Sequence, residues 1–257
     1  MSVLTYLNSI AEDIKIQDAE RTKIDTSIYN LSNKLGSYFN NIGSKYVFGS
    51  YDRKTILKRS KDANSDVDFM VIFSDGADYR PQTLMTRLKT FAEANYSRSE
   101  IYQSSPTIVL ELSHIKFELV PAYTNWFSTY IPAPALHYQD WIVTTPATLK
   151  SDLNTKNSNH SYLIRKLVRI LKYWNALNGK VYSSYVLERH VIDTSFLFCY
   201  NLKDYFYATV DALNTYGLSI YDRGKVDSLK SKCDSIKKLE RDGYPVSAES
   251  EMEKIFS

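Results

Sequence analysis

The sequence predicts an α+β protein in two parts, and three observations carry that expectation. Short β-branched and aromatic runs alternate with helical patterns over the first 150 residues. Beyond that point helical periodicity continues without a convincing strand. At 257 residues the chain sits at the upper edge for a single core, so two lobes are a natural solution.

Taken in order, Leu4, Leu7, Ile10 and Ile14, then Ile24, Ile28, Leu31, Leu35 and Tyr38, recur at helical spacing, so the first forty residues read as helix. Residues 41–44 punctuate, 45–48 form a short strand running into Gly49-Ser50, and 67–73 form a buried strand. Pro81 opens a helix with a stripe of Leu84, Leu88 and Phe91. Residues 107–112 and 115–120 are expected as two strands about a tight Ser113-His114 turn, with Pro121 closing the second. A loop-rich piece over 123–159 holds Pro132, Pro134 and Pro146, and the lobe boundary falls there, giving parts 1–150 and 151–257. The next helix, 161–178, has candidate caps at Asn159 or Ser161 and Gly179 beyond its end. Further helical patterns fill 186–213 and 226–239.

The composition is that of an ordinary globular protein: 32 Lys+Arg against 29 Asp+Glu, 44% hydrophobic and 24% charged residues exclude disorder and collagen. The apolar stretches are too short for a membrane-spanning helix, and Glu12, Asp13 and Glu20 stand where a signal peptide would be apolar, so a cytoplasmic protein with no membrane partner is expected. Cys199 and Cys233 fit no metal or redox spacing and read as reduced thiols. A net charge of +3 does not call for nucleic-acid binding, and neither GxGxxG nor GxxxxGK[ST] occurs.

Chemistry concentrates in a few acids. Asp66 and Asp68 lie two apart at the mouth of a strand, so alternation points both carboxylates to one side, about 7 Å apart at the backbone. Such a pair suits Mg²⁺ or Mn²⁺, although a solvated strand end has the same pattern. Glu118 interrupts an apolar strand between Phe117 and Leu119 and shares its side with Lys116 and Val120. If its strand adjoins that of Asp66 and Asp68, three carboxylates converge as in two-metal phosphoryl-transfer sites. The alternative is an edge-strand acid paired with Lys116 across solvent. Gly49-Ser50 can bring backbone amides and a hydroxyl close to phosphate oxygens. Arg165, Arg169 and Lys172 line one side of a helix as a positive stripe.

In the order strand, Gly49-Ser50, Ser65-Asp66-Val67-Asp68-Phe69, helix and Phe117-Glu118-Leu119-Val120-Pro121-Ala122, the chain resembles the DNA polymerase β-like nucleotidyltransferase superfamily. Within it, Val120-Pro121-Ala122, Lys172-Tyr173-Trp174-Asn175 and Ser183-Ser184-Tyr185-Val186-Leu187-Glu188 resemble the bacterial cGAS/DncV-like nucleotidyltransferases. The likeness runs from the first helix to about Glu188 and is weakest over the last fifty residues. One departure is Glu118, where these enzymes usually have Asp, which lengthens the ligand arm.

The resemblance implies a nucleotidyltransferase lobe, a mixed sheet with flanking helices, and a C-terminal helical lobe with the active site in the cleft between them. It implies two Mg²⁺ or Mn²⁺ ions on Asp66, Asp68 and Glu118, the donor triphosphate on Gly49 and Ser50, and β- and γ-phosphate contacts from Lys172 and Ser184. Tyr185 fits either a platform for the donor base or a core position, and Arg165 and Arg169 fit phosphate contact or a solvated face equally. The implied activity is template-independent joining of nucleoside triphosphates into a cyclic di- or oligonucleotide second messenger of anti-phage signalling, sensed by a downstream effector, with no need to bind nucleic acid. Two alternatives are addition of nucleotides to an RNA 3′ end or a protein hydroxyl, and an inactive nucleotide-binding homologue. The last ranks lowest, because all three acidic positions are acidic here.

Overall fold

The computed structural model describes residues 2–134 and 140–257 and divides into two compact units. One comprises residues 16–59 and 63–150; the other comprises 1–15, 60–62 and 151–257.

The first unit is built on a mixed sheet. Its elements are α2 (Asp18–Tyr38), β1 (Ile42–Phe48), α3 (Gly49–Asp52), β2 (Asp66–Phe73), α4 (Pro81–Asn95), β3 (Glu100–Ser104), β4 (Thr107–Glu111), β5 (Lys116–Thr124), β6 (Thr129–Pro132) and β7 (Trp141–Thr144). The strand order is β1-β2-β5-β4-β3, with β6 pairing β5 and β7. The β2–β5 pair is parallel, and the other pairs are antiparallel. Alternation sends Val67, Phe69, Val71 and Phe73 to one face with Phe117, Leu119, Ile108 and Leu110. There they pack with Ile24, Leu31 and Leu35 of α2 and Leu84, Leu88 and Phe91 of α4. The other face carries Asp66, Asp68 and Glu118 at the start of β2 and β5 and, further along the same strands, a smaller buried cluster of Met70, Ile72 and Ala122.

The second unit is helical: α1 (Val3–Asp13), α6 (Ile164–Leu177), α7 (Ser184–Asp193), α8 (Leu202–Asp211), α9 (Ile220–Arg241) and α10 (Pro245–Glu253). The N-terminal helix, read from the sequence with the first part, groups here and packs on α6, α8 and α10. Between the units' main elements in sequence runs α5 (Pro146–Asn159). α6 is buried on nearly every side, through Ile164, Leu167, Val168, Ile170, Leu171 and Trp174, which marks it as the unit's central helix. No helix among the described residues is long and apolar enough to cross a membrane. Both cysteines are free thiols.

Several sequence expectations change. Pro121 does not close β5, which continues to Thr124 with Pro121 opposite Val71. β4 ends opposite Leu119, so at residue 121 the strand is bordered by β2 and has an open side where a missing N–H is tolerated. The region expected as loop contains β6, β7 and α5; its residues 135–139 lie outside the described residues. Its prolines sit at element ends, Pro132 closing β6 and Pro146 opening α5. The short strand β3 carries mostly exposed side chains and gives no apolar run to detect. Neither Asn159 nor Ser161 caps α6: Leu163 holds that position, and Asn157 Oδ1 accepts from the Arg165 amide at 3.0 Å. The pattern over 186–213 splits into α7 and α8.

Phe117 is fully buried at the sheet's centre. Phe117→Ala is expected to cost about 3–5 kcal/mol through lost burial and the cavity left behind. A denaturant titration should show the fall in midpoint.

Candidate active site on one face of the sheet

The polar face gathers the predicted acids because β2 and β5 run parallel in fixed register. Asp66 lies opposite Lys116, and Asp68 lies opposite Glu118. Residues paired in this way point to the same side, so the three acids share one face of adjacent strands, about 4.8 Å apart across the pair. β5 is an interior strand with β2 and β4 on either side, which removes the edge-strand reading of Glu118. Pairing with Lys116, however, is real. Its ammonium lies 3.5 Å from Asp66 Oδ2 and 3.4 Å from Glu118 Oε1. Thr107 Oγ1 donates to Glu118 Oε2 at 3.5 Å from β4.

Burial works against the Lys116 ammonium, but the carboxylates of Asp66 and Glu118 outweigh it, so its pKa stands above the ordinary lysine value. Glu111, opposite Lys116 on the β4 side, is held by Arg59. That leaves Lys116 to the two acids of the cluster.

Gly49 follows β1 at φ +71°, a conformation costly for any residue with a Cβ. A Cβ there would also collide with the Asp68 carboxylate, so Gly49 is what lets Asp68 sit against the backbone. Ser50 follows in α3, where its carbonyl accepts from the Thr55 and Ile56 amides at 2.9 and 3.1 Å. The turn is fastened by Tyr51, whose hydroxyl donates to Asp25 Oδ1 at 2.6 Å, and by Lys150, 2.7 Å from Asp52 Oδ1.

The donor set fits hard divalent cations: three carboxylates on rigid strands, at a spot that already attracts a positive charge. As the side chains stand, no group of three or more His, Cys, Asp or Glu among the described residues is arranged to hold a metal ion. The ammonium of Lys116 reaches two of the acids instead.

The other predicted residues belong to the helical unit. Lys172 is 7% exposed, and its ammonium lies 3.5 Å from Glu188, which is fully buried. Asn175 clasps Tyr182, donating to its carbonyl at 2.8 Å and accepting from its amide at 3.0 Å. These contacts fasten α6 to the start of α7, where Ser183 caps the helix by accepting from the Val186 amide. Ser184 is the first helical residue, and Tyr185 is 60% exposed, which removes the core reading for that ring. Arg169, like Lys172, is buried, so the basic stripe is not a solvated face. Arg165 donates to Asn154 Oδ1 at 2.5 Å.

The structure thus brings Gly49, Asp66, Asp68 and Glu118 together in one unit, and gathers Lys172, Ser184 and Tyr185 about the α6–α7 connection in the other. The sequence offered Lys116 as a partner of Glu118 alone. Its reach to Asp66 depends on the parallel register, which the sequence alone does not specify.

A mixed sheet with acids on one face, accompanied by a helical unit, has the fold of the cGAS/DncV-like nucleotidyltransferases. CdnG of Bradyrhizobium diazoefficiens in complex with GTP superposes with a TM-score of 0.73 at 10% identity, covering 98% of both chains. CdnC of Escherichia coli MS115-1 with ATP gives 0.72 at 13% identity, covering 100% of this chain and 98% of that one. Residues 1–157 match the Second Messenger Oligonucleotide or Dinucleotide Synthetase (SMODS) domain, and the chain belongs to that family. Among curated relatives, a cyclic AMP-AMP-AMP synthase from Acinetobacter is 21% identical over 137 residues, 52% of this chain. The match takes in 39% of that relative's length.

Gly49→Ala is expected to lower stability by about 1–2 kcal/mol, from the left-handed backbone alone. Displacement of Asp68 adds to it. Thermal unfolding of the variant measures the loss.

Proposed function

We propose that this protein is a template-independent nucleotidyltransferase that joins nucleoside triphosphates into a cyclic di- or oligonucleotide second messenger, releasing pyrophosphate. The observation that carries this reading is the register of β2 and β5, which aligns Asp68 with Glu118 beside Asp66 on one sheet face. Membership of the SMODS family supports it, as do the curated relative's name and the ATP and GTP that accompany the solved neighbours CdnC and CdnG.

Asp66, Asp68 and Glu118 are the residues that would hold divalent cations, two Mg²⁺ or Mn²⁺ ions in this reading. When bound, such ions supply charge neutralisation of the triphosphate and a lowered pKa for the attacking hydroxyl. Glu118, on the interior strand, is proposed to accept the proton of that hydroxyl, its longer arm allowing reach beyond the aspartates. Gly49 and Ser50 are proposed to bind the donor phosphates by backbone amide and hydroxyl. From the helical unit, Lys172 and Ser184 are proposed to meet the β- and γ-phosphates and Tyr185 to stack on the donor base. The Lys172–Glu188 pair makes Lys172 an oriented cation, set by its partner before any phosphate arrives. The product is proposed to act on a downstream effector in anti-phage signalling.

The deciding experiment incubates the protein with each radiolabelled triphosphate and Mg²⁺ or Mn²⁺, treats the mixture with phosphatase and identifies the resistant product. A parallel arm with labelled tRNA should remain unextended; tRNA extension without a resistant small product would overturn the cyclic assignment.

Asp66→Asn and Asp68→Asn are each expected to abolish pyrophosphate release with circular dichroism unchanged; turnover at the parent rate in either would contradict the assignment. Tyr185→Ala should raise the KM for triphosphate by about five- to 150-fold, given roughly 1–3 kcal/mol per base stacked on an aromatic ring. Because the ring is mostly exposed, its loss should leave the unfolding midpoint nearly unchanged.

A further inference from the structure

Lys116 occupies a position that the nucleotidyltransfer reading does not use. Its ammonium lies within 3.5 Å of carboxylate oxygens from two different strands, Asp66 Oδ2 on β2 and Glu118 Oε1 on its own strand. The side chain is 13% exposed, so it is tucked among the acids and does not wave in solvent. Nearby negative charge on the other flank, Glu111, is taken by Arg59, and the Tyr102 hydroxyl also acts on the ammonium. The arrangement directs the ammonium to Asp66 and Glu118.

Three carboxylates on one sheet face repel one another, and one cation of either kind relieves that repulsion. An ammonium and a divalent ion cannot share the same place: Mg²⁺ requires carboxylate oxygens at about 2.0–2.1 Å, well inside the radius at which the lysine nitrogen now sits. A lysine also suits a temporary occupant, since its flexible stem carries a point charge that can swing away, whereas an arginine fork would bind bidentately.

Resting on the proposed divalent-cation site, we propose that Lys116 is a positioning residue that serves as a built-in counter-cation. It holds the Asp66 and Glu118 side chains gathered in the metal-free protein and gives up its place when a divalent ion binds. Lys116 therefore competes with the metal and couples metal loading to a movement of its own side chain.

The test reads the lysine itself. The protein is treated with an amine-acetylating reagent with and without Mn²⁺, and modification at each lysine is measured by mass spectrometry while Mn²⁺ binding is followed by electron paramagnetic resonance. Acetylation of Lys116 is expected to rise severalfold on Mn²⁺ addition while that of Lys89, on α4 behind the opposite face of the sheet, stays constant. Lys116→Met is expected to bind Mn²⁺ on the order of tenfold more tightly without nucleotide, as one competing charge is removed, and Lys116→Arg is expected to restore weak binding. Mn²⁺ binding with unchanged Lys116 labelling would overturn the proposal while leaving the nucleotidyltransferase reading intact. Failure to bind Mn²⁺ at all, with or without triphosphate, would overturn both.

Discussion

The parallel pairing of β2 with β5 is the constraint on which the site depends. Because strand side chains alternate, a slip of one residue in either strand would turn Phe69 or Phe117 away from the core under α2 and α4 and an acid into it. Burial of those rings against α2 and α4 therefore fixes the register, and the register in turn sets Asp68 beside Glu118. The geometry of the polar face is inherited from the energetics of the apolar one.

That inheritance brings an electrostatic problem, which the chain answers locally. Asp66, Asp68 and Glu118 crowd one face, with Glu111 close by on β4. Arg59 neutralises Glu111, and Lys116 sits between Asp66 and Glu118, so the cluster is held together by cations drawn from its own surroundings. A site balanced in this way is preorganised for positive charge, and the proposed exchange of an ammonium for divalent ions would leave the surrounding backbone unmoved. In the helical unit the same logic recurs in buried form, where Glu188 orients Lys172 and Asn175 clasps the Tyr182 backbone. The motif residues there do structural work, fixing the α6–α7 connection that presents Ser184 and the exposed ring of Tyr185.

Some of this was readable from residue order. The helical stripe of Leu31 and Leu35, the strand from Val67 to Phe73 and the helix opened by Pro81 each announced themselves by periodicity, because each buries one face against a common core. β3 and β7 did not, since strands with few buried side chains carry no such pattern. Pro121 misled because a proline ends a strand only where its missing N–H would have faced a neighbouring strand, and that is known only once neighbours are known.

By itself the sequence determined the alternation of two-residue and helical periods, and with it the identity of the acids and of the glycine that precedes them, because those are local properties of the chain. Tertiary structure decided which strands became neighbours, that Lys116 reaches Asp66, that Lys172 and Arg169 are buried, and that the first helix groups with the last. Each of those depends on contacts between residues far apart in the chain, chosen by the burial of whole faces and written in no single segment.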